Sequence, residues 1–402
     1  MKNIHYALLY DSINGSGFTN QIFIFVSNIL KNLKYNSFKK NIIIYNNFLS
    51  DLNNINYINS LIPISNIINI DEFNKYLYNK YNILIFDKNN IKFDIINVTY
   101  GSKEKFIDIT TFIKDNFLDK YNNIFYLSKN LSLNNLFGDP IEHMPKKIFI
   151  KYSINDYVFD IEYNENCSHI VETIEFNLNK DIYEYYFTFP FNIDEEIFFD
   201  ILKNIPFKHN IMLHSDKFIK HIYSNIDSNI DSNIDLNNIN NKNKVNILHL
   251  RLEDDAINHW SNQNSMSKLD FKFQLENKYI NIIKQNTSIN ENNIFIILGY
   301  SNDNNVLNYL KKNNYNYFIC EKINKYGREI NAIIDLLNVR LCNNIFIGNF
   351  SIKKRRGSSF SYFILSQLNP LINIKSILID MDDIKSDEEE IYYNYKPIID
   401  LN

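Results

Sequence analysis

The C-terminal part of the chain, from residue 245 onward, alternates continuous apolar runs with helical patterns. Runs such as Val245–Leu250 (VNILHL) and Ile294–Gly299 (IFIILG) are almost wholly apolar, which is typical of strands buried on both faces of a sheet. Between the strands, Lys268–Lys284 and Glu329–Leu341 place apolar residues at helical spacing. This alternation predicts a parallel, doubly wound α/β sheet, whose ligands bind at the carboxyl ends of the strands.

Shorter patterns complete this prediction. They are strands at Tyr317–Cys320, Asn344–Ile347 and Ser376–Asp380, a helix beginning near Asn302, and a helix following the SSFS run at 358–361.

The N-terminal half opens in the same way and then departs from it. His5–Tyr10, Asn41–Tyr45 and Ile83–Phe86 read as strands, with a helix over about 18–32, and predict a second α/β unit. Residues from about 92 to 178 hold short alternating runs instead, which predict a β-rich insertion. Helical patterns return between residues 184 and 223.

Ser224–Lys244 is a low-complexity segment built on a repeated SNID motif. Isoleucine at a period of four would allow an acidic helix, but Asn, Ser and Asp are poor helix formers. A flexible linker or surface insertion is the preferred interpretation.

Charge and hydropathy exclude several classes of protein. With 42 basic and 46 acidic residues the net charge is −4, which argues against binding to nucleic acid or to an anionic membrane. No apolar run approaches a membrane span, and the N-terminal run is too short for a secretory signal. The three cysteines lie far apart and form no metal or disulfide spacing. These features predict a cytoplasmic protein in a reducing compartment.

Arginine and glycine are scarce, as an AT-rich genome such as that of a giant DNA virus or a protist would produce. There are eight Gly, and the five Arg all lie at or after residue 251. Where Lys could have replaced Arg, a retained Arg indicates a role for its planar fork; chance retention is the alternative. For a viral protein, the location would be the host cytoplasm or the virion.

A glycine-containing loop lies between the first strand and the first helix. Gly15 and Gly17 permit a tight turn, and Asn20 and Gln21 follow in the helix start. Free N–H groups there suit a phosphate or sugar oxygen. The loop lacks the dinucleotide fingerprint, because Asn20 stands at the third Gly position. A plain strand–helix turn remains the alternative.

Polar residues also follow the first C-terminal strand. His249 and Arg251 point to the same side of the chain, and Arg matches diphosphate oxygens bidentately. Glu253 and Asp254 come next; they are either acids at a helix N-terminus or catalytic groups.

A third group of candidates lies nearer the C-terminus. Asp335 sits on an otherwise apolar helix, where it is either a paired core residue or part of a site. Ser358, Ser359 and Phe360 open a helix directly after a strand. Serine hydroxyls and helix-start N–H groups form a phosphate cradle, although a serine N-cap is the simpler explanation.

Taken in order, GSGFTNQ, HLRLEDD, NAIIDLLN and GNFSIKKRRGSSFS resemble the motifs of the protein O-fucosyltransferases and their GT-B relatives. The resemblance implies two Rossmann-like domains facing a cleft and an inverting, metal-independent transfer, without a cofactor, of a sugar to a hydroxyl acceptor on a protein or glycan. The donor it implies is a GDP-sugar, GDP-fucose above all.

The resemblance also implies roles for the matching residues. Arg251 would bind the β-phosphate and stabilise the leaving GDP. The other residues would bind substrate: Gly15, Gly17, Asn20, Gln21, His249, Asp335, Ser358, Ser359 and Phe360. The catalytic base is left open between Glu253, Asp254 and Asp11.

The sequence departs from the family pattern at three points, which leave the donor identity open. Thr19 stands where the family has Gly, the glycine loop has no Arg, and Lys353–Arg356 interrupt the last motif. A non-catalytic nucleotide-sugar or glycan-binding protein on the same fold is the alternative function.

The predicted domains follow from these patterns. The insertion resembles a small β-domain at the C-terminus of a mitochondrial J-protein, through NVTYGSKEKFIDIT, NNLFGDP, KKIFIKYSI and VETIEF. The boundaries are 1–90 with 179–223 for an acceptor-side Rossmann-like domain, 91–178 for the insertion, 224–244 for the linker and 245–402 for the nucleotide-sugar domain.

Overall fold

A computed structural model gives the fold. It describes residues 5–11, 17–35, 41–47, 49–53, 58–87, 90–119, 124–125, 132–142, 144–164, 195–226, 243–289, 291–299, 304–320, 322–323, 325–369, 371–386 and 389–393. The chain divides into two compact units. Unit 1 comprises residues 1–12, 28–48 and 62–186, and unit 2 comprises residues 13–27, 49–61 and 187–402.

Unit 1 contains a three-stranded parallel sheet in the order β1-β2-β5. Its strands are β1 (His5–Asp11), β2 (Asn41–Asn47) and β5 (Ile83–Asp87). The helix α1 (Phe18–Tyr35) connects β1 to β2; its first ten residues group with unit 2 and its last eight with unit 1. The helices α2 (Ile64–Ile67) and α3 (Ile70–Tyr81) of unit 1 precede β5. The two-stranded pair β3 (Leu49–Asn53) and β4 (Ile58–Ile62), which comes before them in the chain, groups with unit 2 except for its last residue.

The rest of unit 1 is built on a four-stranded antiparallel sheet, in the order β11-β10-β6-β7. Its elements are β6 (Phe93–Gly101), β7 (Phe106–Asp108), α4 (Thr110–Phe117), β8 (Leu118–Asp119), β9 (Ile124–Phe125), α5 (Leu133–Phe137), β10 (Lys147–Ile154) and β11 (Tyr157–Asn164). One face is apolar and buried, and it shares a hydrophobic cluster with Leu84 and Phe86 of β5.

Unit 2 begins with segments of the N-terminal half and continues with α6 (Glu195–Lys203) and α7 (His209–Ile226). Its main sheet has six strands: β12 (Lys244–His249), β13 (Asn293–Leu298), β14 (Asn316–Ile319), β15 (Ile345–Gly348), β18 (Lys375–Leu378) and β19 (Glu390–Tyr393). The order is β14-β13-β12-β15-β18-β19, and every pairing is parallel except the last.

Helices connect the parallel strands. They are α8 (Asp254–Gln263), α9 (Lys268–Asn286), α10 (Asn305–Lys312), α11 (Arg328–Asn338) with a 3₁₀ turn at Val339–Leu341, and α12 (Ser359–Gln367). A short antiparallel pair, β16 (Phe350–Ser351) and β17 (Arg356–Gly357), separates β15 from α12. Strands β12, β13 and β15 are buried along almost their whole length, because helices cover both faces of such a sheet.

The strand order places β12 beside β15 and so creates a topological switch point. Connections leave β12 toward β13 and leave β15 toward β18, in opposite directions along the sheet. At such a point the loops after the two strands separate and leave a crevice at their carboxyl ends. His249 ends β12, and Gly348 ends β15.

The structure confirms the mixed α/β class and the predicted strands of the C-terminal part to within one or two residues. It also adds elements that the sequence analysis did not predict, among them α3, α8 and the antiparallel edge strand β19. A four-stranded antiparallel sheet lies within the predicted insertion. The four domain boundaries, the GT-B arrangement, the J-protein likeness and the viral origin stay predictions.

Two predicted features fall outside the described residues: most of the SNID segment and the VETIEF run. Among the helices that the structure describes, none is long and apolar enough to cross a membrane.

Candidate functional site

The carboxyl end of β12 presents a buried, neutral histidine. His249 is 2% exposed, and its Nδ1 lies 2.7 Å from the Ser361 hydroxyl of α12. Burial, with the nearby Arg251 guanidinium, lowers the pKa of His249 to about 3. The imidazole is therefore uncharged at neutral pH.

The hydrogen bonds of Ser361 join this imidazole to the neighbouring strand. The Ser361 hydroxyl accepts a hydrogen bond from the Asn349 N–H at 2.9 Å, and it shares a second hydrogen bond with Nδ1 of His249. The Tyr279 hydroxyl bonds the His249 carbonyl and lies 2.5 Å from Oδ1 of Asn349, which holds the ends of both strands together.

Two glycines allow the backbone to approach this histidine network. A methyl group on Gly299, after β13, would lie 3.3 Å from Cδ2 of His249. A methyl group on Gly348 would lie 2.6 Å from Cζ of Phe346 and 2.9 Å from Oγ of Ser361. Real Cβ atoms do not make contacts this short, so a side chain at Gly348 would separate β15 from α12.

Asp335 of α11 reaches the same edge of the sheet. Its carboxylate accepts a hydrogen bond from the Gly299 N–H at 3.2 Å. Burial raises the pKa of Asp335 to about 7, against the lowering effect of hydrogen bonds from Cys320 and Gly299. A large fraction of these carboxyl groups is therefore protonated at neutral pH.

Arg251 is held by carboxylates of its own loop. Its Nη1 lies 2.8 Å from Oε1 of Glu253, and its Nη2 lies 3.3 Å from Oδ2 of Asp255. Glu253 is the N-cap residue of α8 but makes no side-chain cap hydrogen bond. Its other oxygen, Oε2, is buried and has no hydrogen-bond partner in the described part of the chain. An unpaired buried carboxylate oxygen is costly, so it marks a position that a hydroxyl or N–H group of a ligand could fill.

The start of α12 is tied to the start of α1. The Ser359 hydroxyl donates to Oδ1 of Asn20 at 2.9 Å. Ser358 is the N-cap residue of α12, yet its side chain makes no cap hydrogen bond. Its hydroxyl is therefore not used to satisfy the helix end, which weakens the N-cap explanation for this serine.

A second arginine lies at the glycine loop. The Nη2 atom of Arg328 is 3.9 Å from the position of a methyl group on Gly17. Arg328 is the first residue of α11 and is ion-paired with the buried Glu329 at 2.7 Å. The loop has no arginine of its own in sequence, but Arg328 places a guanidinium near Gly17.

Three helix N-termini of unit 2 are thus linked by these contacts: those of α1, α11 and α12. Each presents free N–H groups and a partial positive charge. Since α11 and α12 follow the carboxyl ends of β14 and β15, this positive region lies at the edge of the sheet where ligands bind in such folds.

The remaining predicted residues are more scattered. The Phe360 ring packs edge-on against the His249 ring, with centroids 5.1 Å apart. Gln21 is buried, whereas Asp254 lies exposed in the first turn of α8. Gly15 lies outside the described residues, as does the side chain of Asp11.

Other residues of this network were not predicted from the sequence: Ser361, Asn349, Gly299, Tyr279 and Arg328. Ser361 and Asn349 lie inside the quoted motifs, and the rarity of Arg is a signal that could have selected Arg328. No local signal distinguishes Tyr279 from an ordinary apolar residue of an amphipathic helix. Across the described residues, no group of three or more His, Cys, Asp or Glu side chains is placed to hold a metal ion.

Comparison with known proteins gives structural neighbours only. No family model matches the chain, and no curated protein matches it. A NodZ α-1,6-fucosyltransferase soaked with GDP-fucose is 15% identical over 50% of this chain and 54% of its own, with a TM-score of 0.31. NodZ from Bradyrhizobium is 13% identical over 50% and 53%, with a TM-score of 0.30. POFUT1 in complex with GDP-fucose is 10% identical over 90% and 93%, with a TM-score of 0.41.

The neighbours are therefore fucosyltransferases of low identity. The chain spans about half the length of the NodZ structures, at 53–54% of their residues.

Proposed function

We propose that this chain is a glycosyltransferase that takes its sugar from a nucleoside-diphosphate donor bound at the carboxyl edge of the unit 2 sheet. The observation that carries the proposal is the meeting of α1, α11 and α12 through the Asn20–Ser359 hydrogen bond and the position of the Arg328 guanidinium near Gly17. Helix N-termini bind anions through their N–H groups and dipoles. A diphosphate is the anion that several such ends and two guanidinium groups suit best.

The residues around this region have separate roles in donor binding. The Ser358 hydroxyl and the N–H groups that open α12 would donate to phosphate oxygens. Neutral His249 and Asp335 would line the nucleotide or sugar. The Arg251 guanidinium would bind the β-phosphate and exchange part of its pairing with Glu253 and Asp255 for phosphate oxygens.

The proposed transfer is inverting and needs no metal. The acceptor hydroxyl oxygen attacks the anomeric carbon as the bond from that carbon to the β-phosphate oxygen breaks. The electron pair of the broken bond stays on the diphosphate, where negative charge develops. A fixed guanidinium directed there lowers the barrier by several kcal/mol, on the order of 3–4 for one well-placed donor. Arg251 thus takes the part that a divalent cation takes elsewhere.

Glu253 is the base that the geometry supports. Its buried Oε2 has no partner in the described structure, so it is free to accept the proton of the acceptor hydroxyl. Asp254 is exposed in the first turn of α8, where its negative charge interacts favourably with the helix dipole. We therefore propose Glu253 over Asp254, with Asp11 kept as an untested candidate.

The first donor to test is GDP-fucose, because the sequence motifs resemble those of the protein O-fucosyltransferases. The departures at Thr19 and at Lys353–Arg356 make a panel of donors necessary. A protein or glycan acceptor fits the proposal equally well.

Titration calorimetry with GDP, UDP and CMP tests the donor site. We expect GDP to bind with a Kd on the order of micromolar, and Arg251→Lys to weaken binding about tenfold, because Lys cannot bind phosphate bidentately. Arg340→Lys is the matched control, since Arg340 pairs with Asp216 and precedes the amino end of β15. Absence of binding by any nucleotide would refute the donor site.

Turnover separates an enzyme from a binding protein. We expect release of GDP from GDP-fucose in the presence of an acceptor, unaffected by EDTA and reduced about 10²–10³-fold by Arg251→Lys. Binding of GDP without turnover of any sugar nucleotide would support the non-catalytic alternative. Dependence on a divalent metal would contradict the role given to Arg251.

A further inference from the structure

A second candidate site lies between α9 and α10, outside the donor region. A cavity of about 470 Å³ opens there, lined by Leu269, Asp270, Lys272, Phe273, Glu276 and Asn305 among others. Because α10 follows the carboxyl end of β13 and α9 runs back toward its amino end, the cavity lies at the same edge of the sheet as the switch point.

The cavity contains a buried carboxylate that is only half satisfied. Glu276 is 3% exposed, and its Oε2 accepts a hydrogen bond from the Asn305 amide at 2.6 Å. Its Oε1 is buried and has no hydrogen-bond partner within the described structure. The nearest cation, Nζ of Lys272, lies 3.9 Å away, beyond hydrogen-bond distance. Buried carboxylates are normally paired and fully hydrogen-bonded.

The charge and shape of the cavity lining indicate which kind of ligand would satisfy the Glu276 carboxylate. Asp270 and Glu276 against Lys272 give the lining a formal charge of −1, and the Asp270 carboxylate already accepts the Ser267 hydroxyl at 2.6 Å. Phe273 and Leu269 stand 58% and 81% exposed at the rim. An aromatic face attracts cations, and apolar side chains bind the body of an organic ligand.

We propose that this cavity binds an organic ammonium group carried on an apolar body. The ammonium would donate to Oε1 of Glu276 and neutralise the lining, while its carbon chain packs on Phe273 and Leu269. A neutral hydroxyl would donate to Oε1 of Glu276 but would not neutralise the negative charge of the lining, so an alcohol should bind less well. The proposal does not depend on glycosyl transfer.

Butylammonium chloride is the probe, and butan-1-ol is its neutral counterpart. In calorimetric titrations of the full chain, we expect butylammonium to bind and Glu276→Gln to weaken it about tenfold or more, as loss of a charged hydrogen bond should. Lys272→Met should strengthen binding severalfold, because the competing intramolecular cation is gone. Glu291→Gln is the matched control, since Glu291 pairs with Lys244 at the opposite edge of the sheet.

Three results would overturn the proposal: butan-1-ol binding as tightly as butylammonium, equal effects of Glu276→Gln and Glu291→Gln, or no response of either wild type or Lys272→Met to butylammonium. Circular dichroism shows whether Glu276→Gln folds. If it does not, the Lys272→Met comparison decides alone, because Lys272 is on the surface and its loss leaves the core intact.

Discussion

Half-buried Asp335 and buried His249 are two titratable residues with opposite effects on the pH dependence of stability. The pKa of Asp335 rises from 3.8 to about 7 on folding, so the folded state keeps a proton that the unfolded state loses between these pH values. Its contribution to stability therefore falls as the pH rises from about 4 to 7. The pKa of His249 falls from 6.5 to about 3, so its contribution rises over nearly the same interval.

We predict that Asp335→Asn removes one of these two opposing pH dependences and leaves that of His249. Asn keeps an oxygen to accept the Gly299 N–H but has no proton to lose. The free energy of unfolding of the variant, relative to wild type, should grow by up to about 3 kcal/mol from pH 5 to pH 8. Urea denaturation at several pH values measures it. A difference in unfolding free energy that does not change with pH would show that folding does not raise the pKa of Asp335.

For the candidate site, the sequence could indicate single residues but not their contacts. The rarity of Arg and the strand-end positions selected His249 and Arg251 without any structure. The hydrogen bond from Ser359 to Asn20 joins residues 339 positions apart, and no local pattern in the sequence encodes such a pair. The unpaired oxygens of Glu253 and Glu276 depend on packing, so they too emerge only from the fold.

At the scale of elements, α12 connects the ends of the two strands at the switch point through one hydroxyl group. The Ser361 hydroxyl is hydrogen-bonded to Nδ1 of His249 at the end of β12 and accepts from the Asn349 N–H after β15. It therefore connects the two strands between which the sheet order reverses. Ser366, five residues further along the same helix, donates to the Phe363 carbonyl and accepts from the Gln367 amide, both in its own helix.

This contrast predicts unequal costs for two buried serines. Ser361→Ala leaves two buried polar groups without a partner and should cost about 2–4 kcal/mol of unfolding free energy. Ser366→Ala removes two local bonds within the helix and leaves no partner on another element unpaired, so it should cost about 1 kcal/mol or less. Equal losses in chemical denaturation would show that Ser361 does not bridge the strands.

Elements were predicted well where both faces of the sheet are covered. Apolar runs such as VNILHL became strands because a parallel strand buried on both sides must be apolar throughout. The edge strand β19 alternates in exposure and pairs antiparallel, so it carried no such signal. Helix α3 lies in a polar, tyrosine-rich stretch, where the apolar stripe is weak and the helical period is therefore hard to recognise.

At the scale of the whole molecule, the candidate donor site is assembled from two distant parts of the chain. Residues 13–27 group with 187–402 in unit 2, and the antiparallel sheet of residues 93–164 belongs to unit 1. The Asn20–Ser359 hydrogen bond connects the start of α1 to the start of α12 within this unit.

This assembly predicts where a bound nucleotide changes hydrogen exchange. A ligand that binds only the folded site slows exchange through openings that destroy the site, by up to about 100-fold when its concentration is 100 times Kd. With saturating GDP, we expect slower exchange in peptides covering residues 17–27, 245–252 and 345–363. Peptides covering β10 and β11 in unit 1 serve as the internal control and should be unchanged. Protection of residues 245–252 without residues 17–27 would mean that the α1 start takes no part in binding, and protection confined to unit 1 would contradict the proposed location of the site.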